Sequence, residues 1–595
     1  MRLRFLGFPV VLSLLVCSVA QAATYYVSSA GSDNNAGTST SAPWKTSAKV
    51  NGISFAAGDR ILFASGQSFS GGLTFGATDK GTASNPITVS SYGTGRAIIN
   101  AGAAAGFYAY NCSGIVVSNI NFAGSGSTAN TKDGVSFYAD LANNAVLDGI
   151  TVSQVDVSGF GGSGILFGTW SGSTHFSNVT IYGCSSHDNL KAGISSYAQN
   201  SYVHTNIYIG YCQVYNNFGD PAATGNTGNG IVLGEVSGAV VEYCAAHDNG
   251  KNNFVQGEGP VGIWCYDAQF VTLQFNESHH NHTSGAHDGG GLDLDIDTKN
   301  SIIQYNYSHD NDGAGYLLCC DGNNSGNVIR YNISQNDARK NGFGGIHTYG
   351  AITNASIFNN TVYMANTTPS PAALVLSTGM VNSRIQNNIF QTAGGAQLAW
   401  IASGQSGLSL QGNDYWPGAG AFAIVDSSKS YSGFASWQTA TGREKLGSAN
   451  VGLNVDPRLV SAGGGALLND ATLLPNLAAY KLQTNSPMLD AGLNLPKLVG
   501  INAGTRDFYG VPIAQGTGFD VGACEAPCDV MIEGAGWSSA GFQVLAMGTI
   551  NKTNVLEASS DMIHWVALTN TTSGTVQVTD TNSAKMPLRF YRIRQ

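Results

Sequence analysis

Charge is what this chain has least of. Asp, Glu, Lys and Arg make up 11% of its 595 residues, less than half the roughly 25% usual in soluble domains. The 27 basic residues face 37 acidic ones, for a net charge of −10. A nucleic-acid partner is therefore not expected, because phosphate binding needs a basic face. Proline is scarce at 15, and the 77 glycines follow no triplet period, which excludes collagen. With 43% apolar residues, general disorder is excluded as well. No run of about 20 apolar residues occurs after the N-terminus, so no membrane span is expected. Cysteines number ten, one of them Cys17, and the odd remainder argues against a disulfide scaffold. Cys524 with Cys528, or the adjacent Cys319 and Cys320, are the candidate pairs.

Residues 1–22 read as a secretory signal: Arg2 and Arg4, an apolar stretch from Phe5 to Val19, then Ala20-Gln21-Ala22 as a cleavage site. A secreted protein, extracellular or periplasmic and monomeric, is expected.

What the chain does have is glycine, at about 13%, and one phrase that returns: a strand, an Asn or Cys, then a polar corner. It is seen in Val179 to Asn189, Val240 to Asn249, Val271 to Asn281, Ile302 to Asn311 and Val328 to Asn336. Anchors at Ile120, Val155, Cys184, Cys212, Cys244, Asn276, Asn306, Asn332, Asn360 and Asn388 lie about 30 residues apart. Each unit holds two or three short β-prone runs and no helical stretch, which fits an all-β parallel β-helix, a solenoid with coils stacked about 4.8 Å apart. Stacking puts the asparagines in one column, an Asn ladder that Cys184, Cys212 and Cys244 continue. The expected layout is a cap and first coils at 23–110, central coils with a groove at 111–395, and further coils and a cap at 396–528. A small C-terminal β-sandwich follows at 529–595, where alternating strands replace the repeat.

Tyr25 to Thr46 with Gly58 to Phe63 resembles the N-terminal cap of pectate-lyase-like right-handed parallel β-helices, and among them the family 9 polysaccharide lyases. The resemblance covers roughly residues 24–525. It implies a right-handed helix and an enzyme cleaving uronate polysaccharides by β-elimination, with a lysine base and Ca²⁺ held by clustered aspartates.

Aligning the glycines that precede the second strand of each unit puts Val232, Trp264, Asp293, Leu317 and His347 in one outward row. Gly234, Tyr266, Asp295, Cys319 and Tyr349 form a second. Trp264, Tyr266 and Tyr349 can take sugar rings on their faces. Asp293, Asp295 and Asp297 alternate with Leu294 and Ile296, so all three should face one way; with Asp267 they are the expected Ca²⁺ ligands. Alternatively they are a polar outer face at a turn. His287 and Asp288 lie just before this row as a candidate acid or base pair. Lys251, Arg339 and Lys340 sit at corresponding corners, where they can rim the groove. Arg339 would then neutralise a uronate and Lys340, or His347, would take its proton, unless these are ordinary solvated charges. His187, His247 and His309, each followed by an Asp, are expected to be a structural corner stack.

Three functions fit: a Ca²⁺-assisted lyase on an acidic polysaccharide, which is the leading expectation; an inverting glycoside hydrolase; or a non-catalytic carbohydrate-binding or adhesion solenoid. For the hydrolase, two of the aspartates would act roughly 6.5 to 7 Å apart, at the lower edge of the inverting window.

Overall fold

The computed structural model describes residues 22–320, 322–365, 372–514, 518–526, 531–539, 541–547, 553–572, 575–586 and 588–594. The signal-peptide reading, Cys528 and the start of the C-terminal module lie outside the described residues. No described helix is long and apolar enough to cross a membrane. The chain is a right-handed parallel β-helix, as expected. It divides into two compact units, one holding the chain up to Asp188 with Ser196–Tyr208, the other Asn189–Ser195 with Ile209–Gln595.

Both units use the same coil of three strands. In the second unit one coil runs through Val236–Glu242 in a first sheet, Ala245–His247 in a second and Val261–Tyr266 in a third, and each pairs in parallel with its equivalent a coil later. Alternation explains the burial: Val261, Ile263 and Cys265 are in the core, while Trp264 and Tyr266 face outward.

The corner between the first two sheets is sharp. Tyr211, Tyr243, Phe275, Tyr305 and Tyr331 occupy the left-handed backbone region there, a cost of order 1 kcal/mol or more for such residues. Two features hold them. Their rings stack coil on coil, with centroids 4.9 to 6.0 Å apart, and the next residue is the buried anchor. Asn276, Asn306, Asn332, Asn360 and Asn388 form the expected ladder, each Nδ2 donating to the following Oδ1 at 2.9 to 3.0 Å. The column continues to Asn413 and ends on Glu444. A second column, unforeseen, runs through Asn189, Asn217, Asn249, Asn281 and Asn311 to Asp337. Cys184, Cys212 and Cys244 are buried at the anchor positions.

In the first unit the cap is built on Trp44, whose ring stacks on Tyr25 at 4.6 Å. Thr46 accepts from the Lys49 N–H to start the helix Ser47–Asn51. Phe55, Phe75, Phe107 and Phe137 then stack up the core.

Coils were expected to continue to about Cys528. Instead the last parallel coil strand described is Ile424–Asp426, and residues 453–526 lie along the outside of earlier coils. Tyr480 and Leu474 bury Tyr307 and Ile333, and Gln335 Oε1 accepts from both Gly465 N and Tyr480 Oη at 2.7 Å. Arg506 stacks over Phe275 and Tyr305. The C-terminal strands form two three-stranded antiparallel sheets with their own core of Val544, Ala546, Leu556 and Val576.

Candidate active site

The third sheet carries the outward rows in the register the glycine alignment predicts. Val232 pairs with Trp264, Trp264 with Asp293, Asp293 with Leu317, and Leu317 with His347. Hydrogen bonds from Asp295 N to Cys265 O, Cys319 N to Leu294 O and Tyr349 N to Leu318 O extend the second row past the strand ends.

Corner segments before these strands build a wall. Ser284 N donates to Asn253 O, Gly289 N to Pro260 O and Gly259 N to the Asp288 carboxylate at 2.9 Å. Asp288 and Gly289 both have positive φ. Glycine is required at 289, since a Cβ there would lie 2.8 Å from Asp312 Cβ.

The wall buries the Asp293 carboxyl and half-buries those of Asp288 and Asp295. Asp293 is 2% exposed and its Oδ1 has no hydrogen-bond partner; burial, then the charges of Asp295 and Asp288, holds its carboxyl well above the ordinary range. Burial and then Asp295 push Asp288 up to about 7, against the Gly259 N–H that favours its anion. Asp295 rises to about 6 through burial, opposed by the Ile296 N–H, with Glu258 and Asp267 adding to the rise. Three carboxyl groups are thus coupled in one place, at different readiness to ionise. Glu258 was not foreseen as part of it; the signal was a lone acid in a long corner.

Asp297 does not join them. The strand Gly290–Leu294 ends before Asp295, so the alternation lapses. Ile296 is 42% exposed rather than in the core, and Asp297 turns into the left-handed region to accept from Asn323 N at 2.8 Å. Asp267, also left-handed, donates its N–H to Ile296 O at this same corner. Among the described residues, Asp293, Asp295, Asp297 and Asp267 do not gather into one ligand set; Asp295 groups instead with Cys319 and Cys320, whose sulfurs are bonded to each other. These donors do not fit the oxygen cage expected for Ca²⁺.

Trp264 and Tyr266 tilt against each other at 5.4 Å, with Trp264 Nε1 donating to Asn229 Oδ1. Tyr266 lies over Gly234, where any Cβ would meet its ring. Tyr349 is 55% exposed. His347 is buried against Phe343 and pushed down to about 4 by burial, so it is neutral. The ammonium of Lys340 donates to Thr283 O. Arg339 pairs with Asp310 at 3.2 Å, and Lys251 is exposed with its carbonyl accepting from Ser284 Oγ. His287 is exposed beside Asp288. On the second sheet, His247, His279 and His309 stack at 4.8 Å intervals, so His279 enters between two members of the expected corner stack, and Tyr215 rather than His187 stacks on the far side of His247; His187, His247 and His309 each contact the following Asp.

No family model matches the chain. It is 25% identical over 525 residues to a lacto-N-biosidase of Bifidobacterium longum subsp. longum; the match covers 69% of this chain and 32% of that protein, so the chain spans about a third of its relative's length. Solved structures of similar fold include the GH136 lacto-N-biosidase from Eubacterium ramulus, at TM-score 0.47 and 21% identity over 58% of this chain and 64% of that one. Another is pectate lyase Pel9A, at TM-score 0.40 and 17% identity over 85% and 97%. The sequence relative is a glycoside hydrolase, and this overturns the reading of the chain as a polysaccharide lyase of the family 9 kind.

Proposed function

We propose that the chain is a glycoside hydrolase acting on a neutral glycan at the face formed by Trp264, Tyr266, Asp288, Asp293 and Asp295. The observation that carries this reading is the coupled carboxyl cluster, in which burial and mutual charge spread the ionisation of Asp288, Asp293 and Asp295 over a range above the ordinary value. Glycosidic cleavage needs one carboxylic acid still protonated when a second has ionised. Asp288, the later of the pair to lose its proton, is the general acid that protonates the departing oxygen. Asp295, the earlier, acts at the anomeric carbon, directly or through a water. Asp293, the most deeply buried of the three, stays protonated. Asp295, with Glu258 and Asp267 beside it, repels a uronate and favours a neutral sugar, whose ring rests on Trp264 and Tyr266.

Because the relative is named for releasing lacto-N-biose, p-nitrophenyl β-lacto-N-bioside and lacto-N-tetraose are the first substrates to try, alongside a panel of neutral oligosaccharides and uronate polysaccharides. Expected are new reducing ends from a neutral glycan, unaffected by chelator, and proton NMR of the first product assigns inversion or retention. Release of unsaturated uronate products, or no cleavage across the panel, would overturn the proposal.

A further inference from the structure

The first unit carries a second aromatic surface on its own third-sheet strands. Phe107, Ala109, Val135, Phe137 and Ala139 point into the core, so Tyr108, Tyr110 and Tyr138 point out. Tyr110 pairs with Tyr138 and Tyr138 with Gly168 in the next coil. The rings of Tyr108 and Tyr110 lie 6.3 Å apart at 15°, and those of Tyr110 and Tyr138 6.1 Å apart at 14°. At Gly168 the row has no side chain, and the space is taken by the ring of Tyr197: a Cβ at Gly168 would sit 2.5 Å from it. Trp170 stands beside Tyr197 at 6.4 Å and is 58% exposed; Tyr110 is 37% exposed.

These rings are not a dry patch. The Tyr110 hydroxyl donates to both oxygens of Asp140, at 2.8 and 3.0 Å, and Asn111 Nδ2 donates to Oδ1 of the same carboxylate. The hydroxyl of Tyr197, pushed up to about 12, feels first its own burial and then the charges of Tyr138, Asp133 and Tyr108. Flat rings edged by hydroxyls and carboxylates match a ligand whose faces are C–H and whose rim is hydroxyl, which describes a pyranose. A second protein would be expected to bury apolar side chains against the rings and leave the acids unanswered, and a nucleic acid would meet carboxylates with phosphates.

We infer that the tyrosine ladder of the first unit, Tyr108, Tyr110, Tyr138 and Tyr197 with Trp170, is a non-catalytic binding surface for a neutral glycan chain. It spans four coils, about 14 Å at the coil spacing, and so takes several sugar rings in succession. This inference does not rest on the hydrolase reading.

The test uses the full chain carrying Asp295→Asn, so that retention is read without turnover, on a printed array of neutral oligosaccharides that includes β-linked hexaoses of glucose, N-acetylglucosamine and xylose. At least one glycan should be retained, and Tyr110→Ala/Trp170→Ala should weaken that retention tenfold or more with an unchanged melting temperature. Should the double variant melt early, Trp170→Ala alone, changing a ring that is mostly in solvent, is expected to weaken retention at least threefold. Equal retention by parent and variants, or no glycan held by the parent, overturns the inference.

Discussion

Asp288 and Asp295 differ in ionisation by little, and that small difference sets the pH response. The acid must keep its proton, so turnover should fall as pH rises through about 7, where Asp288 ionises. Its partner must be ionised, so turnover should also fall as pH drops through about 6. A kcat profile peaking between these values checks the pair. Asp288→Asn and Asp295→Asn should each lower kcat by about 10³-fold or more while the melting temperature moves little, since an amide replaces a carboxyl of equal size. Loss of fold instead would make the carboxyls structural. The aromatic and acidic rows were legible from the glycine register, because alternation follows from strand geometry alone. Asp297 was misplaced because the end of a strand is decided by its neighbours in adjacent coils. Lys340 had a legible corner, but not the Thr283 carbonyl that takes its ammonium.

The asparagine columns convert repeat spacing into stability. Asn332 donates to Asn360 Oδ1 and to the carbonyls of Ile303 and Arg330, and accepts from Asn306, all without solvent. Asn332→Ala orphans several of these groups at about 1 to 3 kcal/mol each, so a loss on the order of 3 kcal/mol or more is expected in denaturant unfolding. Asp337 ends the second column, taking donors from Asn311 and Ser334, and burial raises it to about 7. Unfolded, it returns to its ordinary 3.8. Between these pH values the folded chain holds the extra proton, so stability from this group falls as pH rises from about 4 to about 7. Asp337→Asn should flatten that slope in melting curves, its amide donating to Ser334. The first column could be read because its anchors recur after a strand. The second was in plain view as the closing Asn of the repeated phrase, but the copy before Asp337 ends on Asn336, one residue out of step.

Residues 453–526 act as a strap on the coils of the second unit, while the strands beyond them close on a core of their own. Ending the chain after residue 526 should therefore leave melting and turnover near those of the full protein. Ending it after residue 452 should expose Tyr307, Ile333 and Ile389 and give aggregation, seen by light scattering. The composition announced the final β module, since its alternating strands differ from the repeat. The strap was unreadable because it pairs with residues more than a hundred positions away, as Asn359 does with Asp520 and Gly522. The two asparagine columns also have a sense. Every amide passes its N–H toward the C-terminal neighbour, and the last one meets a carboxylate, Asp337 or Glu444, that hands nothing on. Gene duplication can therefore splice an additional turn upstream of those terminators and keep each column whole, but a copy placed downstream would start from a carboxyl, which lacks the NH2 that every other member passes on. Such a protein grows in length from one side only.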